Sequence, residues 1–155
     1  MGGGKALKPF RGRPLWSYGY DLLRSFCQEV RLVGECSELG LPTLVEEQPG
    51  QGPLGAIVAA LKSSKTDWNF LLALDYPLLD LAVVQTLERA KGGLACLPVC
   101  GSQKHPLCGF YHRQASHILP EQGSVLRALQ SVRVEWVEFA PDQRFLNVNR
   151  LEDLQ

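Results

Sequence analysis

The stretch Phe70-Leu71-Leu72-Ala73-Leu74-Asp75-Tyr76-Pro77 decides the fold class of this 155-residue chain. Its first five residues are apolar without alternation, which is typical of a strand covered on both faces, as in a parallel sheet. The run ends at Asp75, and Pro77 stiffens the exit of the chain. Because ligands of open α/β sheets bind at the carboxyl ends of the strands, this sequence predicts a functional carboxylate at Asp75.

Helix-like and strand-like segments alternate on both sides of this run. Apolar residues at helical spacing predict helices over 14–26, 53–63 and 80–90, and one or two helical turns within 117–129. Short apolar runs predict further strands over 30–33, 43–45, 94–99, 107–111 and 134–139. A last helix is expected to begin within 151–155. This alternation predicts a three-layer α/β/α, Rossmann-like domain with a mostly parallel central sheet.

Composition limits the classes of function. The hydrophobic fraction of 45% and the charged fraction of 21% are those of an ordinary globular protein, and one domain over 1–155 is expected. Sixteen Lys and Arg balance sixteen Asp and Glu, so we expect no nucleic-acid partner and no attraction to acidic lipid. No run of about 18 apolar residues predicts a membrane span. Five Cys, an odd number, favour free thiols and a cytoplasmic location.

Three short segments have residues suited to chemistry. Gly2-Gly3-Gly4 before Lys5 can present backbone N–H groups and an ammonium to a phosphate; it is not a P-loop, because Ala6 follows the lysine, and a frayed terminus is the alternative. Asp75 is suited to bind Mg²⁺ together with substrate phosphates, or it caps a turn. Gly52-Pro53 presents free N–H groups at a helix start, or it is a plain helix N-terminus.

The remaining candidate ligands lack the spacing of a metal site. A zinc site needs two tight pairs of ligands, which His105, His112 and His117 do not provide together with Cys96 and Cys100. We interpret these residues as core thiols and ordinary histidines. The sequence also indicates no Ser–His–Asp or Cys–His arrangement.

Six segments follow one another in an order and spacing that resemble one family. They are Met1-Gly2-Gly3-Gly4-Lys5-Ala6-Leu7, Gly12-Arg13-Pro14-Leu15, Pro49-Gly50-Gln51-Gly52-Pro53-Leu54, Leu74-Asp75-Tyr76-Pro77, His105-Pro106-Leu107-Cys108 and the stretch 145–154. They are similar to motifs of the molybdenum cofactor guanylyltransferase family, nucleotidyltransferases of the nucleoside-diphospho-sugar transferase type. Those motifs include M-G-x-x-K-A-L, G-[KR]-P-L, P-G-x-G-P-L, C-D-x-P and F-x-N-[IV]-N-T-P-E-[DE]-L. Each motif alone is weak, whereas the ordered set is specific.

The chain departs from the family pattern at three places. The family's first strand and its L-A-G-G-x-S-x-R loop have no counterpart before Met1. The resemblance implies that this strand lies in the middle of the sheet and that the loop surrounds the triphosphate, so its loss would expose two strand edges. Arg150-Leu151 replaces Thr-Pro, and Glu46 replaces the usual Asp with a longer carboxylate.

The resemblance implies a reaction and a set of roles. GMP would pass from GTP to molybdopterin with release of pyrophosphate, Asp75 would bind Mg²⁺, and Lys5 would offset charge on the triphosphate. Asn147 and Asn149 would contact molybdopterin or water bound to the metal, since amides both donate and accept. The family implies delivery of the product to a molybdoenzyme or its chaperone. The nucleotide-binding residues that it implies, besides Lys5 and Asp75, are Gly2, Gly3, Gly4, Glu46, Gly52 and Pro53.

Two alternatives stay open. In the first, the chain is another nucleotidyltransferase of this fold that acts on a cytidylyl or sugar-phosphate substrate. In the second, it is a non-catalytic truncated relative that binds a partner protein. Comparison of GTP, CTP and UTP distinguishes the first alternative. The sequence upstream of Met1 bears on the second.

Overall fold

The structure, a computed structural model, describes residues 5–34, 37–44 and 50–148. In chain order its helices and strands are β1 (Pro9–Phe10), β2 (Arg13–Pro14), α1 (Leu15–Phe26), β3 (Leu32–Val33), β4 (Thr43–Leu44), α2 (Gly52–Ser63), β5 (Trp68–Leu72), α3 (Leu81–Arg89), β6 (Ala95–Cys100), β7 (Gln103–Lys104), β8 (Cys108–His112), α4 (Val125–Ala128) and β9 (Val134–Phe139). Short 3₁₀ helices lie at Ser37–Leu39, Arg113–His117, Leu129–Ser131 and Gln143–Phe145.

Most elements lie where the sequence predicts them. The helices predicted at 14–26, 53–63 and 80–90 are confirmed to within one residue at each end, and the strand at 134–139 is confirmed as it stands. The apolar run predicted as a strand at 70–74 forms β5 two residues earlier. The helix predicted within 151–155 lies outside the described residues.

The main sheet is mixed, so the prediction of a mostly parallel sheet is wrong. Strand β8 lies between β5 and β6 and is antiparallel to both, and β7 is antiparallel to β6. Only β9 runs parallel to its neighbour β6 in this sheet. The physical reason is the connection after β6: tight turns lead to β7 and then to β8, whereas a parallel neighbour needs a crossover of about a dozen residues or more.

Helices cover both faces of this sheet. On one face α2 and α4 pack against Ala95, Leu97 and Tyr111. On the other face α1 and α3 pack against Cys96 and Phe110. Successive residues of a strand point to opposite faces, which is why the neighbours Cys96 and Leu97 belong to different clusters. The prediction of an α/β fold with three layers is therefore confirmed for the described residues.

Strand β5 differs from its neighbours in burial. It forms five ladder pairs with β8, and no strand of the described residues pairs with its other edge. All five of its residues are only half-buried, whereas Ala95–Pro98 of β6 and Cys108–Tyr111 of β8 are buried. The most apolar run of the sequence is therefore not the most buried strand.

The described helices are all too short or too polar to cross a membrane.

Candidate functional site

Asp75 lies in the turn that follows β5, at the end of the sheet where its sequence position predicts it. The Nζ atom of Lys5 is 2.5 Å from Oδ1 of Asp75. Their side chains are 27% and 17% exposed, so the ion pair is accessible but only partly hydrated. The structure thus brings into contact two predicted site residues that lie far apart in the sequence.

Three chain segments meet at this ion pair. The backbone N–H of Val148 donates to the carbonyl oxygen of Asp75 at 2.8 Å. Val148 itself is 1% exposed and packs against Phe10 and Leu15. The N-terminal hairpin, which β1 and β2 form, the turn after β5 and the segment that contains Val148 are therefore held together. The backbone of the turn is thereby held at Asp75, and the ion pair with Lys5 restrains its carboxylate.

A buried polar network lies directly behind Asp75. The Oη atom of Tyr76 is 3.2 Å from Nδ1 of His105, and both residues are buried. Burial raises the pKa of Tyr76 to about 12, although a hydrogen bond from the Asn147 side chain opposes this shift. Burial also lowers the pKa of His105, so the imidazole is neutral at pH 7. Oδ1 of Asn147 is buried and has no hydrogen-bond partner in the described part of the chain.

The segment before Asn147 is anchored by rings and charges. The ring of Phe145 lies 5.1 Å from the ring of His105, measured between centroids. Asp142 begins the 3₁₀ helix that carries Phe145, because its carboxylate accepts the N–H of Arg144 at 2.8 Å. The guanidinium of Arg144 also lies 3.3 Å from Asp80, the N-cap of α3. Hydrogen bonds from Arg144 lower the pKa of Asp142.

The predicted nucleotide-binding turn begins a helix, as expected. Gly52 is the first residue of α2, and Pro53 follows it in the first turn. Gly52 is exposed and has a φ of +72°, a conformation that favours glycine. No side chain caps the first N–H groups of α2, and such groups bind phosphates well. The role of Gly52 and Pro53 in nucleotide binding stays a prediction.

Five predicted site residues lie outside the described residues: Gly2, Gly3, Gly4, Glu46 and Asn149. Their contacts with nucleotide or molybdopterin therefore stay predictions. Asn147 is described, and it directly precedes Val148, whose N–H donates to the carbonyl of Asp75.

The side chains at this site determine whether it suits Mg²⁺. In the described ranges no group of three or more His, Cys, Asp and Glu side chains could hold a metal ion on its own. Mg²⁺ in phosphoryl-transfer sites needs only one or two carboxylates, because water and substrate phosphates complete its shell. Asp75 supplies one such carboxylate at an accessible turn, so the residues present fit this type of site.

Reasoning from the sequence missed two members of this arrangement. It predicts an ordinary histidine at His105 and only a stiffened exit at Tyr76. Two signals were available: Tyr76 directly follows the candidate carboxylate, and His105-Pro106 opens one of the six segments that resemble the family.

Comparison with known proteins identifies the family. Residues 1–134 match the family described as the MobA-like NTP transferase domain. A probable molybdenum cofactor guanylyltransferase of Trichormus variabilis is 33% identical over an alignment of 170 positions. The alignment covers 99% of this chain and 82% of that protein. A molybdenum cofactor guanylyltransferase of Syntrophotalea carbinolica is 26% identical and is covered to 83% of its length.

Solved structures show the same fold. Molybdopterin-guanine dinucleotide biosynthesis protein A from Archaeoglobus fulgidus superposes with a TM-score of 0.74 at 20% identity, over 97% of this chain and 86% of that one. At this identity the likeness shows the fold alone. The family match and the relatives' sequences carry the further conclusion that this chain belongs to the MobA-like NTP transferase domain family.

Proposed function

We propose that this protein is a molybdenum cofactor guanylyltransferase that uses GTP and molybdopterin. An oxygen of the terminal phosphate of molybdopterin attacks the α-phosphorus of GTP, and a new P–O bond forms. The bond between the α-phosphorus and the bridging oxygen breaks, and pyrophosphate leaves. The names of the relatives of Trichormus variabilis and Syntrophotalea carbinolica support this choice of substrates.

The contact between Lys5 and Asp75 carries the proposal. Each residue belongs to a different family-like motif, and the fold brings them to 2.5 Å at an accessible turn. A cation and an anion side by side suit a polyphosphate with its counter-ion, because one binds phosphate oxygens and the other binds the ion. A residue that only formed a turn would not need this partner.

Lys5 has the chemistry to stabilise charge on the triphosphate. Its ammonium carries a positive charge and N–H donors, and both bind phosphate oxygens. Negative charge grows on the leaving pyrophosphate during transfer, and a fixed cation beside it lowers the barrier.

Asp75 is the residue that would hold Mg²⁺. When bound there, this ion would neutralise charge on the phosphate oxygens of the nucleotide. The hydrogen bond from Val148 to the Asp75 carbonyl fixes the turn in advance, so little ordering is left for the moment of reaction.

The remaining predicted residues complete the proposal. Gly2, Gly3 and Gly4 would surround the triphosphate, Glu46 and the Gly52-Pro53 turn would line the nucleotide pocket, and Asn147 and Asn149 would face molybdopterin. We also propose that the protein works in the cytoplasm and passes its product to a molybdoenzyme or its chaperone. Four described cysteines, Cys27, Cys96, Cys100 and Cys108, are free thiols, which agrees with a reducing compartment.

Nucleotide selectivity tests the proposal. The melting temperature is measured with Mg²⁺ and saturating GTP, CTP or UTP, followed by an assay of guanylyl transfer to molybdopterin. At a hundred times Kd we expect GTP to raise the melting temperature by about 5 °C or more, with smaller shifts for CTP and UTP. A larger shift with CTP would instead favour the cytidylyl alternative, and no shift with any nucleotide would favour a partner-binding protein.

A further inference from the structure

A groove on the α2 and α4 face of the sheet is lined by none of the predicted site residues. Its volume is about 380 Å³, at the lower end of the range for ligand pockets. Strand β9 contributes Val134 and Trp136, and the segment before this strand contributes Leu126 and Leu129. Val134, Trp136 and Leu129 belong to the cluster on this face. The proposed reaction therefore does not account for the groove.

The groove exposes large apolar side chains. Leu126 is 43% exposed, and Trp136 is only half-buried. Single exposed apolar residues are normal on a protein surface, but these two line one groove. Tryptophan is also one of the residues enriched in protein–protein interfaces. The groove thus offers an apolar contact surface to a partner.

Both charged side chains that line the groove are cations. They are Lys104 of β7 and Arg127 of α4, and neither forms an ion pair with a described residue. Glu138 of β9 is exposed but does not line the groove. Because the whole chain has no net charge, this positive charge is local and favours a partner that carries carboxylates.

The contact of Lys104 with Trp136 links the charged and the apolar parts of the groove. The Nζ atom of Lys104 lies 4.6 Å from the centroid of the Trp136 ring. Such a contact is weak at an exposed site, so a carboxylate of a partner can draw the ammonium aside by a charge-assisted hydrogen bond. The ring is then free to contact an apolar side chain. A free phosphate would use the cations but leave the apolar lining exposed, so a partner with both features fits better.

We propose that this groove is a docking surface for a protein segment in which large apolar residues lie beside Asp and Glu. The apolar side chains of that segment cover Leu126 and Trp136, and its carboxylates pair with Lys104 and Arg127. The inference goes beyond the proposed reaction, because docking needs no nucleotide. The small size of the groove predicts a weak and reversible complex.

Titration with defined peptides tests the docking surface. The probe is the acetylated and amidated peptide D-L-E-F-L-D-E; one matched peptide replaces its acids by lysine, and another replaces its apolar residues by serine. The readout is the nitrogen-15 NMR signal of the Trp136 indole N–H, assigned with Trp136→Phe. We expect only the first peptide to bind with a Kd below about 1 mM, and more weakly as salt is added. A Trp136 signal that does not move, or equal binding of either matched peptide, would overturn the proposal.

Charge reversal tests the assigned residues. Lys104→Glu combined with Arg127→Glu should raise the Kd of the acidic peptide at least about tenfold and let the lysine peptide bind, because attraction becomes repulsion. Leu126→Ser should raise it about threefold through the lost apolar contact. If the double variant does not melt cooperatively, Arg127→Glu alone decides the question.

The matched control for charge reversal is Arg89→Glu. Arg89 is exposed and lies in the last turn of α3, which packs on the other face of the sheet. We expect its Kd to stay within about twofold of the parent. A loss in Arg89→Glu as large as that in the double variant would show non-specific attraction and overturn the docking surface.

Two further readouts distinguish other occupants. Light scattering reports the oligomeric state: a parent dimer that becomes a monomer in Leu126→Ser would assign the groove to a second copy and overturn the proposal. Guanylyl transfer by the double variant should keep KM for molybdopterin within about twofold of the parent. A tenfold rise, by about one hydrogen bond's worth of binding, would assign the groove to the reaction instead. A parent that transfers no GMP would overturn the proposed function, whereas the peptide titration would still decide the docking surface.

Discussion

Strands β5 and β6 are both apolar, yet they are supported very differently. Strand β6 has β9 on one edge and β7 and β8 on the other, and Ala95–Pro98 are buried. Strand β5 has a partner on one edge only within the described residues, and each of its five residues is half-buried. The candidate carboxylate follows β5, so the site is carried by the strand with less lateral support.

The precision of the site comes from the turn after β5 and not from the strand. The position of Asp75 does not follow from a fully paired strand. It depends on contacts of the turn itself: the ion pair with Lys5, the hydrogen bond from Val148, and the network behind Tyr76. Stability and site geometry should therefore respond to different substitutions.

Truncation of one leucine on each strand gives the largest expected contrast. Leu97 of β6 is 0% exposed, whereas Leu72 of β5 is half-buried. We expect Leu97→Ala to lower the free energy of unfolding by about 3 to 4 kcal/mol, and Leu72→Ala by about 1 to 2 kcal/mol, because the cost grows with the cavity left behind. Urea unfolding measures both. Equal losses would show that β5 is supported as well as β6.

Alkaline pH should act on the β6 side of the sheet. Burial, with a smaller contribution from Glu135, raises the pKa of Cys96 to about 11, from the ordinary 9.0. The folded state therefore keeps this thiol protonated. Its contribution to the free energy of unfolding is complete below pH 9 and is lost as the pH rises toward 11. A pKa difference of about two units between the folded and unfolded states corresponds to about 3 kcal/mol of unfolding free energy.

Urea unfolding from pH 8 to pH 11 measures this dependence. Burial also raises the pKa of Cys108 on β8, which adds to the alkaline loss. Cys96→Ala should flatten the pH dependence, and Cys100→Ala, on the same strand but half-buried, serves as the control. A slope that is unchanged in Cys96→Ala would contradict the assignment.

A pair of glycine substitutions sharpens the comparison further. A Cβ added at Gly109 of β8 would lie 2.6 Å from the backbone oxygen of Cys96, so the backbone would have to move. We expect Gly109→Ala to cost about 2 kcal/mol by overpacking. The test is the midpoint of urea unfolding.

The matched substitution lies on the β5 side. A Cβ at Gly19 of α1 would meet the side-chain atom Cδ2 of Leu72 at 3.3 Å. Because Leu72 lies on the less buried strand, it can shift. Gly19→Ala should then stabilise by up to about 0.5 to 1 kcal/mol through helix propensity. Destabilisation as large as that of Gly109→Ala would mean that the contact of α1 with β5 is as rigid as the β6–β8 ladder.

Local chemistry explains which features the sequence predicts. Helical spacing and caps are local, so the bounds of α1, α2 and α3 follow from the residues themselves. The contact of Lys5 with Asp75 is not local. The resemblance to one family assigns both residues to one site, but it did not predict their ion pair. Asp80, the first residue of the helix predicted over 80–90, is the N-cap of α3, and its carboxylate accepts the N–H of Val83 at 3.0 Å.

The features that were not predicted depend on long-range geometry. An apolar run such as that of β8 shows burial on two faces but not the direction of its neighbours, so the antiparallel ladders stayed hidden. The contact of Tyr76 with His105 joins two separate segments, and no spacing in the sequence indicates that they meet.

In the proposed mechanism Asp75 holds the metal-nucleotide complex and does not merely form a turn. Asp75→Asn keeps the shape and serves a turn equally well, but it removes the charge. Asp67→Asn is the matched control, because Asp67 is 66% exposed and pairs only with Arg113 at 3.0 Å among the contacts of the described residues. Both variants are made in the full natural protein.

The deciding measurement is the rate of guanylyl transfer from Mg·GTP to molybdopterin, with the melting temperature recorded alongside it. We expect Asp75→Asn to melt close to the parent and to transfer at least about a hundredfold more slowly, the loss typical of one preorganised charge contact. Asp67→Asn should transfer at the parental rate. Transfer by Asp75→Asn within about twofold of the parent would contradict the metal-binding role and remove the centre of the proposed mechanism.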